Sequence, residues 1–338
     1  MIVDTFLAFN EIELAEFRIK YLWELTDIVI IGESHLTHSG VEKPLYFREW
    51  LNRRQDLQQK VRVVEIELNR SQGHWEREIA SREYLQRYLR ENFSDRKAIL
   101  SDLDEIPTTN QVREFLKVND NVHFKTTTYY RRANFALQDD SNRFWNNGVM
   151  ISNHYSLPRN GGRYAELPIL NTDEVGGHFS YLGMNREQVN LKVRAFAHSE
   201  INTAEFAQSN LIDFCDFYAI DHLGRFQFSG MGIFEICKME MQNELQAKMY
   251  QFNSKWFNYR DNTPPHYIRI LASAAVTHAI RNLPGSRRSR EAIANFTKGH
   301  GWIFHCKTGI ILQLTRKVSR IVFSRFYLQK VFNRGRNL

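Results

Sequence analysis

Apolar and polar positions alternate in blocks along the first hundred residues. IVDTFLAF (2–9) is a nearly continuous apolar run and predicts a buried strand. In EIELAEFRIKYLWEL (11–25), Leu14, Phe17, Tyr21 and Leu25 recur at helical spacing. The alternation then repeats: DIVIIGES (27–34) as strand and turn, PLYFREWLNRR (44–54) as a helix opened by Pro44, and VRVVEIEL (61–68) as strand. HWEREIASREYLQRYLREN (74–92) predicts a long helix and AILSD (98–102) a fourth strand. Four strands alternating with helices predict a mainly parallel central sheet covered by helices on both faces, an α/β fold. From about 110 to 182 the pattern turns to short strands (121–130, 146–155, 176–183), with a helix expected over 185–197. Beyond about 210 no clear period emerges before the basic C-terminal segment.

In a parallel α/β sheet, ligands collect beyond the carboxyl ends of the strands. Glu33 and Ser34, Glu67, and Asp102 with Asp104 stand at those ends. The fourth strand runs into SDLDEIP (101–107), three acids within four residues, closed by Pro107. A solvated turn is one reading of such a triplet. A cation site is the other: Asp102 and Asp104 are two apart, so in an extended segment both carboxylates leave one face. Two carboxylates so placed can hold a hard divalent ion and leave positions for a diphosphate.

Six segments, in order, resemble glycosyltransferase family 17, the group of the bisecting β-1,4-N-acetylglucosaminyltransferases. They are DTFLAFNEIELAEFRI (4–19), GESHLTHSGVEKPLYFRE (32–49), WEREIASREYL (75–85), SDLDEIP (101–107), GGHFSYLG (176–183) and FAHSEIN (196–202). The resemblance implies a GT-A-like catalytic domain over 1–210, with a nucleotide-sugar half to about 110 and an acceptor half from 110 to 210. Residues 211–338 would form a C-terminal extension. It further implies inverting, metal-dependent transfer of N-acetylglucosamine from UDP-GlcNAc to a glycan or lipid-linked saccharide. Mn²⁺ or Mg²⁺ would sit on Asp102 and Asp104, with His198 as a third ligand. Glu200 is the first candidate for the base and His178 the second.

Several of these positions keep a plainer reading beside the functional one. Glu33 and Ser34 would touch the uridine, or cap a helix or turn. Arg82 shares a helical face with Trp75 and Ile79, so it either lays its stem over the core or faces a buried anion such as Asp102 or the diphosphate. His178 follows two glycines, where backbone can approach a ligand closely.

Composition adds less. Aromatic residues make up 13% of the chain, which suits flat sugar faces as well as a core. Cys215, Cys237 and Cys306 have no metal-ligand spacing and read as free thiols of a reducing compartment. No basic leader and no long apolar window is present, so a cytoplasmic protein is expected. The net charge of +7 is concentrated late, with no acidic residue after Glu291. The tail, 307–338, mixes basic residues with apolar ones at roughly helical spacing. It is expected either to pack as a solvated helix or to lie on an anionic membrane surface. Nucleic acid is not expected, since no recognition motif accompanies the charge. The rival to an enzyme is a non-catalytic anion-binding protein with a basic tail for lipid or nucleic acid.

Overall fold

The computed structural model describes residues 2–137, 144–196, 234–236 and 243–257. The chain divides into two compact units. The first comprises Met1–Ala136, Arg143–Ser199 and Ile236–Asn258, and nearly all described residues belong to it. The architecture below is that of the first unit.

Four parallel strands form one half of the central sheet, in the order β4 (Lys97–Asp102), β1 (Ile2–Leu7), β2 (Ile28–Glu33), β3 (Val61–Glu65). β1, β2 and β4 are mostly buried strands because both faces are covered, whereas β3 at the sheet edge is only half-buried. Phe6, Val29 and Ile31 meet α1 (Ile12–Tyr21), α2 (Tyr46–Asn52) and α3 (Gln55–Gln58) on one side. Val3, Ile30, Ala98 and Leu100 meet Leu85, Leu89 and Phe93 of α4 (His74–Phe93) on the other. The expected helices on both faces are therefore present, in a curled mixed sheet.

The other half contains the antiparallel strands. β8 (Phe144–Ile151) runs against β4 and against β6 (Val122–Tyr130), which also carries β7 (Arg132–Leu137). β9 (Ile169–Leu170) and β10 (Gly176–Ser180) lie parallel to β6, and β5 (Glu105–Ile106) pairs antiparallel with β10. α5 (Thr109–Leu116) was not expected from the periodicity. Thr108 Oγ1 accepts the Gln111 N–H and the Gln111 side chain accepts the Thr108 N–H, a reciprocal cap that starts it. α6 (Arg186–Ala195) fills the helix expected over 185–197 and is capped by Asn185.

One expectation is corrected. Trp75 and Ile79 do not share a core face with Arg82; they are 48% and 40% exposed. The helix buries Ser81, Arg82, Leu85, Leu89 and Phe93 instead. Residues 243–257 belong to the first unit. There α7 (Glu244–Phe252) and Trp256 supply Leu245, Met249 and Trp256 to the core beside Phe17.

Candidate active site

The acidic turn is held from beneath by one buried ion pair. Arg18, on the inner face of α1, and Asp4, in the middle of β1, are both fully buried. The guanidinium grips Asp4 through two bonds of 3.0 and 2.6 Å. Its remaining N–H groups reach the carbonyls of Asp102 (2.8 Å), Leu103 (3.3 Å) and Glu105 (3.0 Å), and Ser101 Oγ (3.0 Å). Three carbonyls converging on one cation require the chain to bend. β4 accordingly ends at Asp102, Leu103 and Asp104 form a turn, and β5 starts at Glu105. Asp102 thus ends the strand and Asp104 lies on the turn, so the two do not share one extended segment as expected.

The two carboxylates face different partners within one cluster. Asp102 takes Arg82 Nη2 at 2.9 and 3.1 Å and Arg163 Nη1 at 3.0 Å. Arg82 is anchored by Glu78 at 2.8 Å, and Arg163 by Glu105 at 3.0 Å. Glu105, fully buried, also receives the Trp145 indole N–H at 2.6 Å and the Asp102 backbone N–H at 3.0 Å. Asp104 faces Lys192 at 3.4 Å, which a stronger contact of 2.6 Å ties to Glu11. His178 Nε2 lies 3.9 Å from Asp104 and 3.1 Å from Ser180 Oγ, with its ring 5.0 Å from that of Trp145.

Burial alone would raise both aspartate pKa values. It is outweighed at Asp102 by Arg163 and Arg82, and at Asp104 by Lys192 and His178, so both carboxyls titrate below their usual range. Burial works against the cations too, yet Asp102 and Glu105 raise Arg163, and Glu11 and Asp104 raise Lys192. His178 lowers both aspartates, and Asp102 raises Asp104, so the three groups share one electrostatic centre. His38 is held neutral beside it: burial pulls its pKa down to about 4.

Two ion-pair networks meet at the turn, Glu78–Arg82–Asp102–Arg163–Glu105 and Glu11–Lys192–Asp104, each with one carboxylate more than its permanent cations. Among the described residues no three His, Cys, Asp or Glu side chains gather as a closed metal cage. The donor set fits a hard cation that keeps water and ligand oxygens in most positions. Asp104 Oδ1, which accepts no hydrogen bond from the described residues, is the freer oxygen for it.

The structure brings together Asp102, Asp104, Arg82 and His178. His178 is on strand β10. A Cβ on Gly176 would sit 2.3 Å from the Ile106 carbonyl oxygen, so that glycine permits the close approach of β5. Glu33 lies at the end of β2 but caps α2: its carboxylate accepts the N–H groups of Phe47 and Arg48 at 3.0–3.1 Å and Lys43 Nζ at 3.2 Å. Ser34 Oγ accepts the Leu36 N–H at 3.1 Å. His198, Glu200 and the 307–338 tail lie outside the described residues.

Sequence reasoning missed Arg18, Arg163, Lys192, Glu105 and Trp145. A signal existed for two of them. Arg18 and Lys192 each sit within an apolar helical stripe, beside Leu14 and Phe17 and beside Val189 and Val193. Such a placement calls for a buried anion.

A parallel half-sheet ending in a charge-compensated acidic turn, flanked by guanidinium, ammonium and imidazole groups, is a centre suited to phosphorylated ligands. The family model for glycosyltransferase family 17 matches residues 1–216, and the chain belongs to that family. It is therefore a glycosyltransferase, with a sugar donor and a saccharide acceptor, rather than a passive anion binder. A search of curated proteins returned no significant match.

Proposed function

We propose that the enzyme transfers N-acetylglucosamine from UDP-GlcNAc to a hydroxyl of a glycan or lipid-linked saccharide, with inversion and in a GT-A-like site. The observation that carries this reading is the convergence of Asp102, Asp104 and His178 with Arg82, Arg163 and Lys192 at the end of β4. The acceptor oxygen attacks the anomeric carbon as the bond to the diphosphate breaks, and the electron pair leaves with UDP. The transition state is oxocarbenium-like. The hydroxyl proton goes to a base, with Glu200 the first candidate and His178 the second. Arg82, Arg163 and Lys192 place positive charge where the diphosphate gathers negative charge.

Asp102 and Asp104, with His198 as a further ligand, would hold Mn²⁺ or Mg²⁺, which supplies Lewis-acid compensation of the leaving diphosphate. Glu33, by capping α2, fixes the end of β2, where the resemblance to GT-A enzymes puts the uridine; Ser34 and neighbouring backbone then face the base. The test is a transfer assay with a panel of UDP-sugars and saccharide acceptors, reading UDP release and product mass. UDP-GlcNAc should be turned over with divalent metal. Turnover of another nucleotide sugar, with UDP-GlcNAc inert, would refute the donor.

A further inference from the structure

Resting on the sugar-nucleotide reading above, we propose that Arg163 receives the donor diphosphate and that it competes with the divalent cation for Asp102. Neither role follows from belonging to the family; both come from how this side chain is built into the fold.

Arg163 is delivered by a constrained loop. Asn160, Gly161 and Gly162 all adopt left-handed backbone, with φ of 57°, 63° and 75°. Asparagine and glycine are the residues that tolerate this conformation. Gln86 of α4 clamps the loop, its Oε1 accepting the Gly161 N–H at 3.1 Å and its Nε2 donating to the Leu157 carbonyl at 3.0 Å. A Cβ at Gly161 would lie 2.8 Å from Leu100 Cδ2, so the loop is pressed directly onto β4. Left-handed residues held by such contacts occur where the surroundings fix a side chain for use.

The guanidinium so placed is only partly committed. Nη2 donates to Glu105, which also accepts from Trp145 and the Asp102 N–H, and Nη1 is ion-paired with Asp102. Nε has no partner although the side chain is only 9% exposed. A buried, unmatched guanidinium N–H is a donor awaiting an acceptor. The Trp145 ring lies 5.6 Å from the guanidinium carbon, flanking the fork. Arg82 is likewise held between two carboxylates, Glu78 and Asp102; what sets Arg163 apart is its unmatched Nε. Asp102 keeps 27% of its side-chain exposure, so a ligand reaches the pair from the Asp102 end.

Competition follows from the shared oxygen. Asp102 Oδ2 already accepts a hydrogen bond from Arg82 at 3.1 Å and forms an ion pair with Arg163 Nη1 at 3.0 Å. A cation bound to that oxygen displaces Arg163, whose fork is then free to chelate phosphate oxygens, a geometry guanidinium suits.

The test is calorimetry on the full chain with three probes: Mn²⁺ alone, pyrophosphate with Mn²⁺, and UDP with Mn²⁺. For Arg163→Met, affinity for both anions should fall about tenfold or more, the scale of one charge-assisted contact. Affinity for Mn²⁺ alone should rise severalfold. A residue that merely supported the fold would weaken all three. If Arg163→Met does not fold, Arg163→Lys decides, since it keeps the charge but not the fork; wild-type anion affinity there overturns the proposal. Unchanged anion binding in a folded Arg163→Met also overturns it, while leaving the sugar-nucleotide reading standing. A wild-type protein that binds neither anion with Mn²⁺ overturns both.

Discussion

Replacing Arg18 by methionine tests how the acidic turn is held. Arg18 and Asp4 are fully buried, and the guanidinium donates to Asp4, to three turn carbonyls and to Ser101. Methionine still packs over Phe6, which the guanidinium carbon now faces at 4.6 Å. It leaves Asp4 as an uncompensated buried carboxylate, a loss of about 3–5 kcal/mol. The stranded carbonyls push the cost toward the upper end. Against a typical total of about 5–15 kcal/mol, that is a large fraction of the stability. Removing both charges, Asp4→Leu with Arg18→Met, should recover a substantial part, because no buried charge then stands alone. It should not recover sugar transfer, because nothing gathers the carbonyls of residues 102, 103 and 105. Urea unfolding at pH 7 and UDP release measure the two effects separately. The reasoning fails if Arg18→Met unfolds within about 0.5 kcal/mol of wild type, a margin ordinary for surface changes. It fails equally if the double variant is no more stable than the single one.

Three further outcomes are expected. Glu33→Gln should cost about 1–3 kcal/mol in urea unfolding by weakening the α2 cap and its contact with Lys43, with UDP affinity little changed; a folded variant that loses UDP affinity more than tenfold would make Glu33 a nucleotide ligand. His38 has a folded pKa near 4 against an ordinary 6.5, so the unfolded chain takes up a proton that the folded protein refuses. Its stabilisation is complete above pH 6.5 and is lost as pH falls toward 4, amounting to about 2 kcal/mol by pH 5. His38→Gln should flatten that slope, and an unchanged slope would contradict the assignment. Full-length protein should co-sediment with anionic but not neutral vesicles at low salt, and a chain ending near residue 306 should not; indifference of the full chain would make the basic tail structural.

The first half of the fold was legible because buried parallel strands are written as unbroken apolar runs, and the helices between them keep an apolar stripe. α5 was hidden in a short acid-to-strand transition, although Thr108 and Gln111 spell its cap. The cluster that forms the candidate site was legible at Asp102, Asp104, Arg82 and His178, where residue type, strand end and family segment coincide. Its scaffold was not. The bend at Asp104 depends on Arg18, more than eighty positions earlier in the chain, and Arg163 enters through left-handed backbone that no hydrophobic period encodes. Trp75 and Ile79 misled for the opposite reason: apolar residues at helical spacing need not face the core.

The central claim, that the acidic turn is the donor site, is tested most directly by a crystal structure of the full chain with UDP and Mn²⁺, the metal located by its anomalous scattering. The account predicts a manganese peak in direct contact with Asp104 or Asp102, and diphosphate oxygens within hydrogen-bonding distance of the Arg82 or Arg163 guanidinium. UDP and manganese ordered at another place, with Asp102 still fully held by its two arginines, would contradict it.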